Sequence, residues 1–290
     1  MCDFIFLNQF VPGCVGQDAV KMLNDAIKRQ GNLKVNVIAI LNDATGTLVK
    51  GAYDDSRTGI GLILGTGCNG AYLEDAEKVI NWVGDKHNAK EVIIDPEFGA
   101  FGDNGCIDFI KTEVDKELDE ASLLPHSFTF EKYFAGKYLG EIARLVLVHL
   151  NKSKAFMTEN PDFKFFEEKD AFTAVMLSKI LENQDVNEVL GLKSLTKDDV
   201  EIIKKTCHIL SERGAVLVAV PMAVFIERMK WKKHVAIAIT GSLYKYHPLM
   251  KTLLEKHIAK IVPQRSFHTF LSDDGSGKGA ALVAAIAQRL

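Results

Sequence analysis

Short apolar runs that stop at small, turn-forming residues constrain this chain most. Val35 to Leu41 ends at Asn42-Asp43, and Gly61 to Leu64 ends at Gly65-Thr66-Gly67. Val235 to Ile239 ends at Thr240-Gly241-Ser242, and Phe267 to Leu271 leads into Asp273-Asp274-Gly275-Ser276-Gly277-Lys278-Gly279. Runs of this length, rich in β-branched residues, read as strands. Longer segments with helical spacing lie between them, such as Val20, Leu23 and Ile27 within Gln17 to Arg29. Strands alternating with helices and followed by glycine-rich turns predict a mixed α/β domain. In open α/β sheets ligands bind at the carboxyl ends of strands, which is where Asn42 and Asp43 fall in this reading.

The remaining elements follow from the same patterns. Gly61–Gly67 and Ala71–Leu73 read as a hairpin turning at Cys68-Asn69-Gly70, and Glu91–Ile94 as another strand. Helices are expected over Phe109–Leu118, Phe130–Leu150, Ala171–Asn183, Thr196–Arg213 and Leu249–Ile261, with an Ala-rich helix at the end. The longest apolar run, Gly214 to Ile226, is interrupted by Pro221 and reads as a kinked core helix. It is shorter than the roughly 20 residues a membrane span needs. Asn151 to Lys169 reads as a polar surface connection.

With 47% hydrophobic and 25% charged residues, 290 residues can bury a full core. The net charge of −3 has mixed signs throughout, which argues against a nucleic-acid or membrane surface. Lys230, Lys232 and Lys233 around Trp231 read as a solvated helix end. The five cysteines form no CxxC pair, so free thiols in a reducing compartment and no zinc site are expected. Met1-Cys2-Asp3 lacks a basic leader region, and a cytoplasmic location is expected.

Five places along the chain are candidates for chemistry. Asp43 is a candidate general base, since a hydroxyl becomes a useful nucleophile only when its proton has somewhere to go. Asn42-Asp43 also reads as a simple turn. Gly65-Thr66-Gly67 can present backbone N–H groups and a hydroxyl to phosphate oxygens. The same glycines match G-x-G-x-x-G through Gly70, with Asp85 downstream, which raises a dinucleotide-binding rival. Ala71-Tyr72-Leu73-Glu74 reads as a returning strand, where that rival needs a helix. Gly275 to Gly279 lacks the Walker spacing but puts small residues at a helix start, where anions are favoured. Glu97 and Glu131 are carboxylates in aromatic settings, able to accept hydrogen bonds from a polyol.

Taken in order, these segments resemble a known family. Asn42–Thr47, Gly61–Tyr72, Pro96–Gly105, Phe130–Leu147, Gly241–Pro248 and Asp273–Val283 together resemble the eukaryotic-type hexokinase and glucokinase family, from about Gly16 onward. The resemblance implies the actin-like ATPase (ribonuclease H-like) fold, with a hexose and ATP in a cleft between two lobes. Asp43 then matches the base that takes the proton of the sugar 6-hydroxyl. Asn42, Asn69, Glu97 and Glu131 match sugar ligands. Thr66 matches a phosphate-contacting threonine in the Gly65–Gly67 turn. Lys137, Ser178, Gly241, Ser242 and Lys245 match positions lining the nucleotide site. Mg²⁺ is implied as a companion of ATP, held largely by phosphates.

The departures are equally specific. The family's first phosphate turn, a Leu-Asp-Leu-Gly-Gly-Thr-like motif, does not occur, nor does its Ser-Phe-Pro sugar loop. Leu7 and Asn8 stand where the family has a sugar-touching Thr and Lys. Thr240 replaces an Asp, Ala174 a Thr, and Asp95 an Asn. Residues 1–33 read as a remnant leading out of a small lobe, and 34–290 as the large domain. The expected function is hexose 6-phosphorylation with reduced activity for this chain. The alternative is a catalytically weak sugar-binding or regulatory relative.

Overall fold

The computed structural model describes residue 13 and residues 16–289. The expectations for Cys2, Cys14, Leu7 and Asn8 lie outside the described residues. One mixed sheet, ordered β3-β2-β1-β4-β5, organises the rest: β1 Thr58–Leu64, β2 Cys68–Asp75, β3 Glu91–Ile94, β4 His234–Thr240 and β5 Ser266–Leu271. β1, β2 and β3 are antiparallel neighbours, whereas β1, β4 and β5 run parallel.

The inner strands β1 and β4 are apolar because the sheet is covered on both faces there. Ile60, Leu62 and Leu64 of β1 enter the main core with Ile237 and Ile239 of β4. On the other face Ile63 packs with Ala44 and Leu48 of α2 (Asp43–Asp54). Gly61 lies beneath this helix. A Cβ there would stand 2.4 Å from the Leu48 nitrogen, so glycine lets the helix rest directly on the strand backbone. α12 (Gly275–Ala287) lies beside α2 on the same side.

The opposite face is covered by helices. α5 (Gly136–Lys152), α7 (Ala174–Leu181), α9 (Lys197–Arg228) and α11 (Met250–Ile261) bury one continuous core with the strands. α9 starts in a capping box, with Thr196 and Asp199 bonded reciprocally. It is long and apolar enough to cross a membrane, but Ile203, Ala215, Val218, Met222 and Ile226 are fully buried among neighbouring helices and strands. It is the central helix of a globular core.

Several expectations need correction. Val35–Leu41 forms no strand. It has no ladder partner, and Val35, Ile38 and Ile40 are exposed. A β-branched run becomes a strand only when another strand satisfies its backbone. Asn42 and Asp43 therefore begin a helix and do not end a strand. The hairpin turns at Gly65-Thr66-Gly67, three residues before the expected position, so Cys68 and Asn69 already belong to β2. The dinucleotide rival fails at the same point, because a strand follows the glycines. Phe130–Leu150 breaks at 133–135 into α4 (Thr129–Lys132) and α5. The helices expected at Thr196–Arg213 and Gly214–Ile226 are one helix that runs through Pro221.

The connection 151–169 is not merely surface. Phe156 and Phe166 are 1% and 0% exposed and meet edge-to-face at 5.5 Å, and Phe166 stacks near Phe172. Each such ring adds about 1.5–3 kcal/mol on burial, enough to fix a segment with little regular structure. α1 (Ala19–Gln30), by contrast, buries no residue. Lys230, Lys232 and Lys233 follow the end of α9 as expected, with Trp231 bonded to Glu91 and covered by Lys78.

Candidate active site

Asn42 is the N-cap of α2, and its Oδ1 accepts from the Ala44 nitrogen at 2.7 Å. This places Asp43 in the first helical turn, where the helix dipole favours a negative charge. The Asp43 carboxyl has solvent access at its tip, yet protein crowds it on other sides. That burial raises its pKa, opposed by the Ala44 N–H and reinforced by the nearby charge of Asp95. An ionised carboxylate with a raised pKa is a stronger base than a free one.

Glu97 approaches from the loop after β3. Its backbone is left-handed, with φ of 50°, a conformation costly for a non-glycine residue and found where surroundings impose it. Glu97 Oε1 accepts from Asn42 Nδ2 and Asn69 Nδ2, each at 2.8 Å. Asn69 Nδ2 also donates to Asp95 Oδ1 at 2.9 Å. Burial, then the Asp95 carboxylate, push the Glu97 pKa from 4.5 up to about 7.

Glu131 is carried on α4. Its Oε2 accepts from the Cys68 nitrogen at 3.0 Å, while its buried Oε1 has no partner. Burial raises its pKa, and the Cys68 N–H opposes this. Asp103 sets the turn by accepting from the Phe128 and Thr129 nitrogens at 3.1 and 2.8 Å. Asn42, Asn69 and Glu97 are thus bonded to one another, Asp43 follows Asn42 directly in the chain, and Glu131 is bonded to the backbone of Cys68, the residue before Asn69. An orphaned buried oxygen in such a group is an acceptor held ready for a ligand hydroxyl.

The hairpin turn links this group to a second one. Thr66 lies three residues before Asn69, and Gly65 and Thr66 carbonyls accept from the Gly136 and Lys137 nitrogens at 2.8 and 3.1 Å. The start of α5 is thereby clasped to the turn. A cleft of about 480 Å³ opens here, lined by Thr66, Lys137, Ser178 and Ser242, together with Ala174 and Tyr246. Desolvation lowers the Lys137 pKa, opposed by Glu131.

Four expected nucleotide-side residues, Gly65, Gly67, Gly241 and Lys245, are not among those lining the cleft. Lys245 does not line the cleft. It pairs with Asp273 at 2.9 Å, outside. Gly241 forms the bend between β4 and α10 (Ser242–Tyr246), with φ of 135°, and supports Gly65 from behind. Gly65 and Gly67 are buried within the turn, on either side of the exposed Thr66. Thr240 donates to the Ser272 carbonyl at 2.7 Å and receives Thr47 at 3.3 Å, so the hydroxyl at this position ties β4 to the start of α12.

Residues 59–286 match a family model described as hexokinase, and residues 9–53 match a second model of the same description. This chain belongs to the hexokinase family. Hexokinase-1 of Bos taurus is 36% identical over 289 residues, covering 96% of this chain and 31% of the relative. The chain thus spans about a third of the length of such relatives. A hexokinase from Schistosoma mansoni, solved in complex with glucose, is 30% identical with a TM-score of 0.89. The likeness covers 98% of this hexokinase chain and 65% of that one. A ROK family glucokinase from Streptomyces griseus, solved with glucose and AMPPNP, shares the fold alone at 16% identity and a TM-score of 0.51, over 91% and 72% of the two chains. The actin-like ATPase fold expected from the sequence is therefore the fold of this hexokinase segment.

Sequence reasoning passed over Asp103, which signals itself only as a carboxylate flanked by glycine and aromatic residues. It also missed Lys179, Glu182 and Tyr246, which line the cleft from helical positions. Nothing in a helix pattern says which exposed residue faces a neighbouring hairpin.

Proposed function

We propose that this chain carries the catalytic half of an ATP-dependent hexose kinase, which phosphorylates the sugar 6-hydroxyl and yields hexose 6-phosphate and ADP. The observation that carries the reading is the hydrogen-bonded set Asn42–Glu97–Asn69, with Asp43 next to Asn42 in the chain and Glu131 bonded to the backbone of Cys68 beside Asn69, at one end of a hairpin whose turn faces a separate cleft. Asp43 takes the hydroxyl proton. Asn42 keeps one amide hydrogen for the sugar, Asn69 bounds the site and holds Glu97 in place, and Glu97 and Glu131 accept from the sugar hydroxyls. Much of the rate gain in such a reaction is positioning and charge stabilisation.

The second cleft fits a nucleotide. A Cβ on Gly65 would stand 3.3 Å from the Ser242 nitrogen, so glycine lets the turn carrying Thr66 pass close to the start of α10. Thr66, Ser178, Ser242 and Lys137 would hold the polyphosphate and ribose with hydroxyls, N–H groups and one ammonium charge. ATP with Mg²⁺ supplies the transferable phosphoryl group and neutralises its charge. Among the described residues no three His, Cys, Asp or Glu side chains gather as a metal cage, so the cation would arrive on the phosphates. Buried free thiols at Cys68 and Cys207 support a reducing, cytoplasmic setting. The domain reading divides residues 1–33 from 34–290, supported by an α1 that buries nothing.

A sugar-binding or regulatory role with weak catalysis is favoured by one observation, the unpaired stretch 32–42 leading into Asn42. Calorimetric titration with D-glucose tests the sugar reading. Binding is expected, and Glu131→Gln should weaken it about tenfold, since Oε1 would change from acceptor to a group of mixed character. Absence of binding, or an unchanged Glu131→Gln protein, would contradict it.

A further inference from the structure

Asp95 occupies the centre of the sugar-side group without having a role in the reading above. Its Oδ1 accepts from Asn69 Nδ2 at 2.9 Å and from the Glu97 backbone nitrogen at 3.3 Å. Asn69 gives its amide to Asp95 and to Glu97 Oε1, and its Oδ1 already accepts from the Gly70 nitrogen at 2.7 Å. A primary amide has two hydrogens, and both are committed. Asp95, Asn69 and Glu97 therefore close a hydrogen-bonded triangle, and the left-handed backbone of Glu97 is part of what holds it shut.

We propose that Asp95 is a positioning residue that sets the orientation of Asn69 and Glu97 and, by its charge beside Glu97, couples sugar capture to loss of the Glu97 proton. The proposal rests on the sugar-binding reading above. Glu97 can accept from a sugar hydroxyl only when ionised. The groups that bear on it are Asp95 on its own loop, Asp43 from α2, and the neutral amides of Asn69 from β2 and Asn42. Glu131 on α4 adds a further carboxyl at this end, with Lys137, Lys132 and Asp103 acting on it. Two neighbouring carboxylates and no cation in direct contact make ionisation of Glu97 costly near neutrality. The shift of its pKa to about 7 agrees with that arrangement.

The sign of the effect follows. Sugar selects the ionised form, so affinity rises as pH increases through about 7. One proton released with that midpoint gives roughly a tenfold tighter Kd at pH 8 than at pH 6. Asp95→Asn removes a charge but keeps an oxygen for Asn69 and for the Glu97 nitrogen. It should flatten the pH dependence to under about twofold and raise affinity at pH 6 about tenfold. Asp95→Ala removes the acceptor as well, and should weaken binding at every pH.

The test has two readouts on the full chain. Carboxyl ¹³C NMR without sugar follows the Glu97 titration directly. A midpoint near 7 that drops by more than one pH unit in Asp95→Asn is expected. An unchanged midpoint would overturn the coupling. D-glucose calorimetry at pH 6, 7 and 8 on wild type, Asp95→Asn and Asp95→Ala follows capture. The three profiles given above are expected, and identical profiles would overturn the positioning role. If no protein binds glucose while the NMR coupling is present, the sugar reading fails and the link to capture fails with it, but the Asp95–Glu97 coupling stands.

Discussion

Gly279 of α12 lies directly against the carbonyl oxygen of Gly46 in α2: a Cβ at position 279 would stand 2.0 Å from it. The two helices cross at glycines on both sides, since a Cβ on Gly46 would meet the Ser276 carbonyl at 2.9 Å. The glycines of Gly275–Gly279 thus serve a close helix contact. That contact holds α2, and with it the Asn42 cap and Asp43, against the sheet.

Gly279→Ala should therefore force the helices apart. Overpacking of this kind costs about 1–3 kcal/mol. Urea denaturation should show that loss, and phosphorylation should fall with it because Asp43 moves. A protein of unchanged midpoint would mean that α12 yields without cost.

Much of this arrangement could be read in the sequence, and the reasons for the rest are physical. Gly61–Leu64 and Val235–Ile239 announce strands because both of their faces are covered, so apolar character is continuous. Val35–Leu41 carries the same signature and forms no strand, because composition does not supply a pairing partner. Asp43, Glu97 and Glu131 stood out by motif. Asp95 showed only as a departure from the family pattern and Asp103 as part of a motif, because their work is to accept from backbone N–H groups and amides brought near only by folding.

His247 makes stability depend on acidity. It is 4% exposed, with Nε2 against Ser211 Oγ at 2.9 Å and Nδ1 accepting from the Leu249 nitrogen at 3.2 Å. Protonating Nδ1 would set two hydrogens against each other. Burial lowers its pKa from 6.5 to about 4. Between those values the unfolded chain binds more protons, so stability falls as pH drops from 6.5 towards 4. The loss from pH 7 to 4.5 should be about 2 kcal/mol. Urea curves of wild type and His247→Gln at both pH values check this, the variant losing less on acidification.

Glu97 contributes with the opposite sign. Its folded pKa of about 7 lies above the ordinary 4.5, so the folded chain binds the extra proton in that window. Its contribution weakens as pH rises from 4.5 through 7. In Glu97→Gln this part of the pH dependence should vanish from the urea midpoints, while the decline due to His247 remains.

Lys137 stands at the first turn of α5, against the hairpin turn that faces the nucleotide cleft. A charged hydrogen bond to phosphate is worth about 1.5–3 kcal/mol, so Lys137→Met should weaken ATP binding about 10- to 100-fold. Glucose affinity should change little. Equal loss of both ligands would mean that the lysine supports the fold and not the phosphates.

The central claim is that Asp43 removes the proton of the sugar hydroxyl. The decisive measurement is glucose-dependent formation of glucose 6-phosphate with Mg·ATP, in wild type and Asp43→Ala, with D-glucose affinity measured alongside. The account predicts turnover in the wild type, slower than the roughly 1–100 s⁻¹ usual for kinases because the stretch entering Asn42 is unpaired. It predicts a loss of at least about 100-fold in Asp43→Ala with glucose affinity largely kept. Equal rates in the two proteins, or no glucose-dependent product from the wild type, would contradict it.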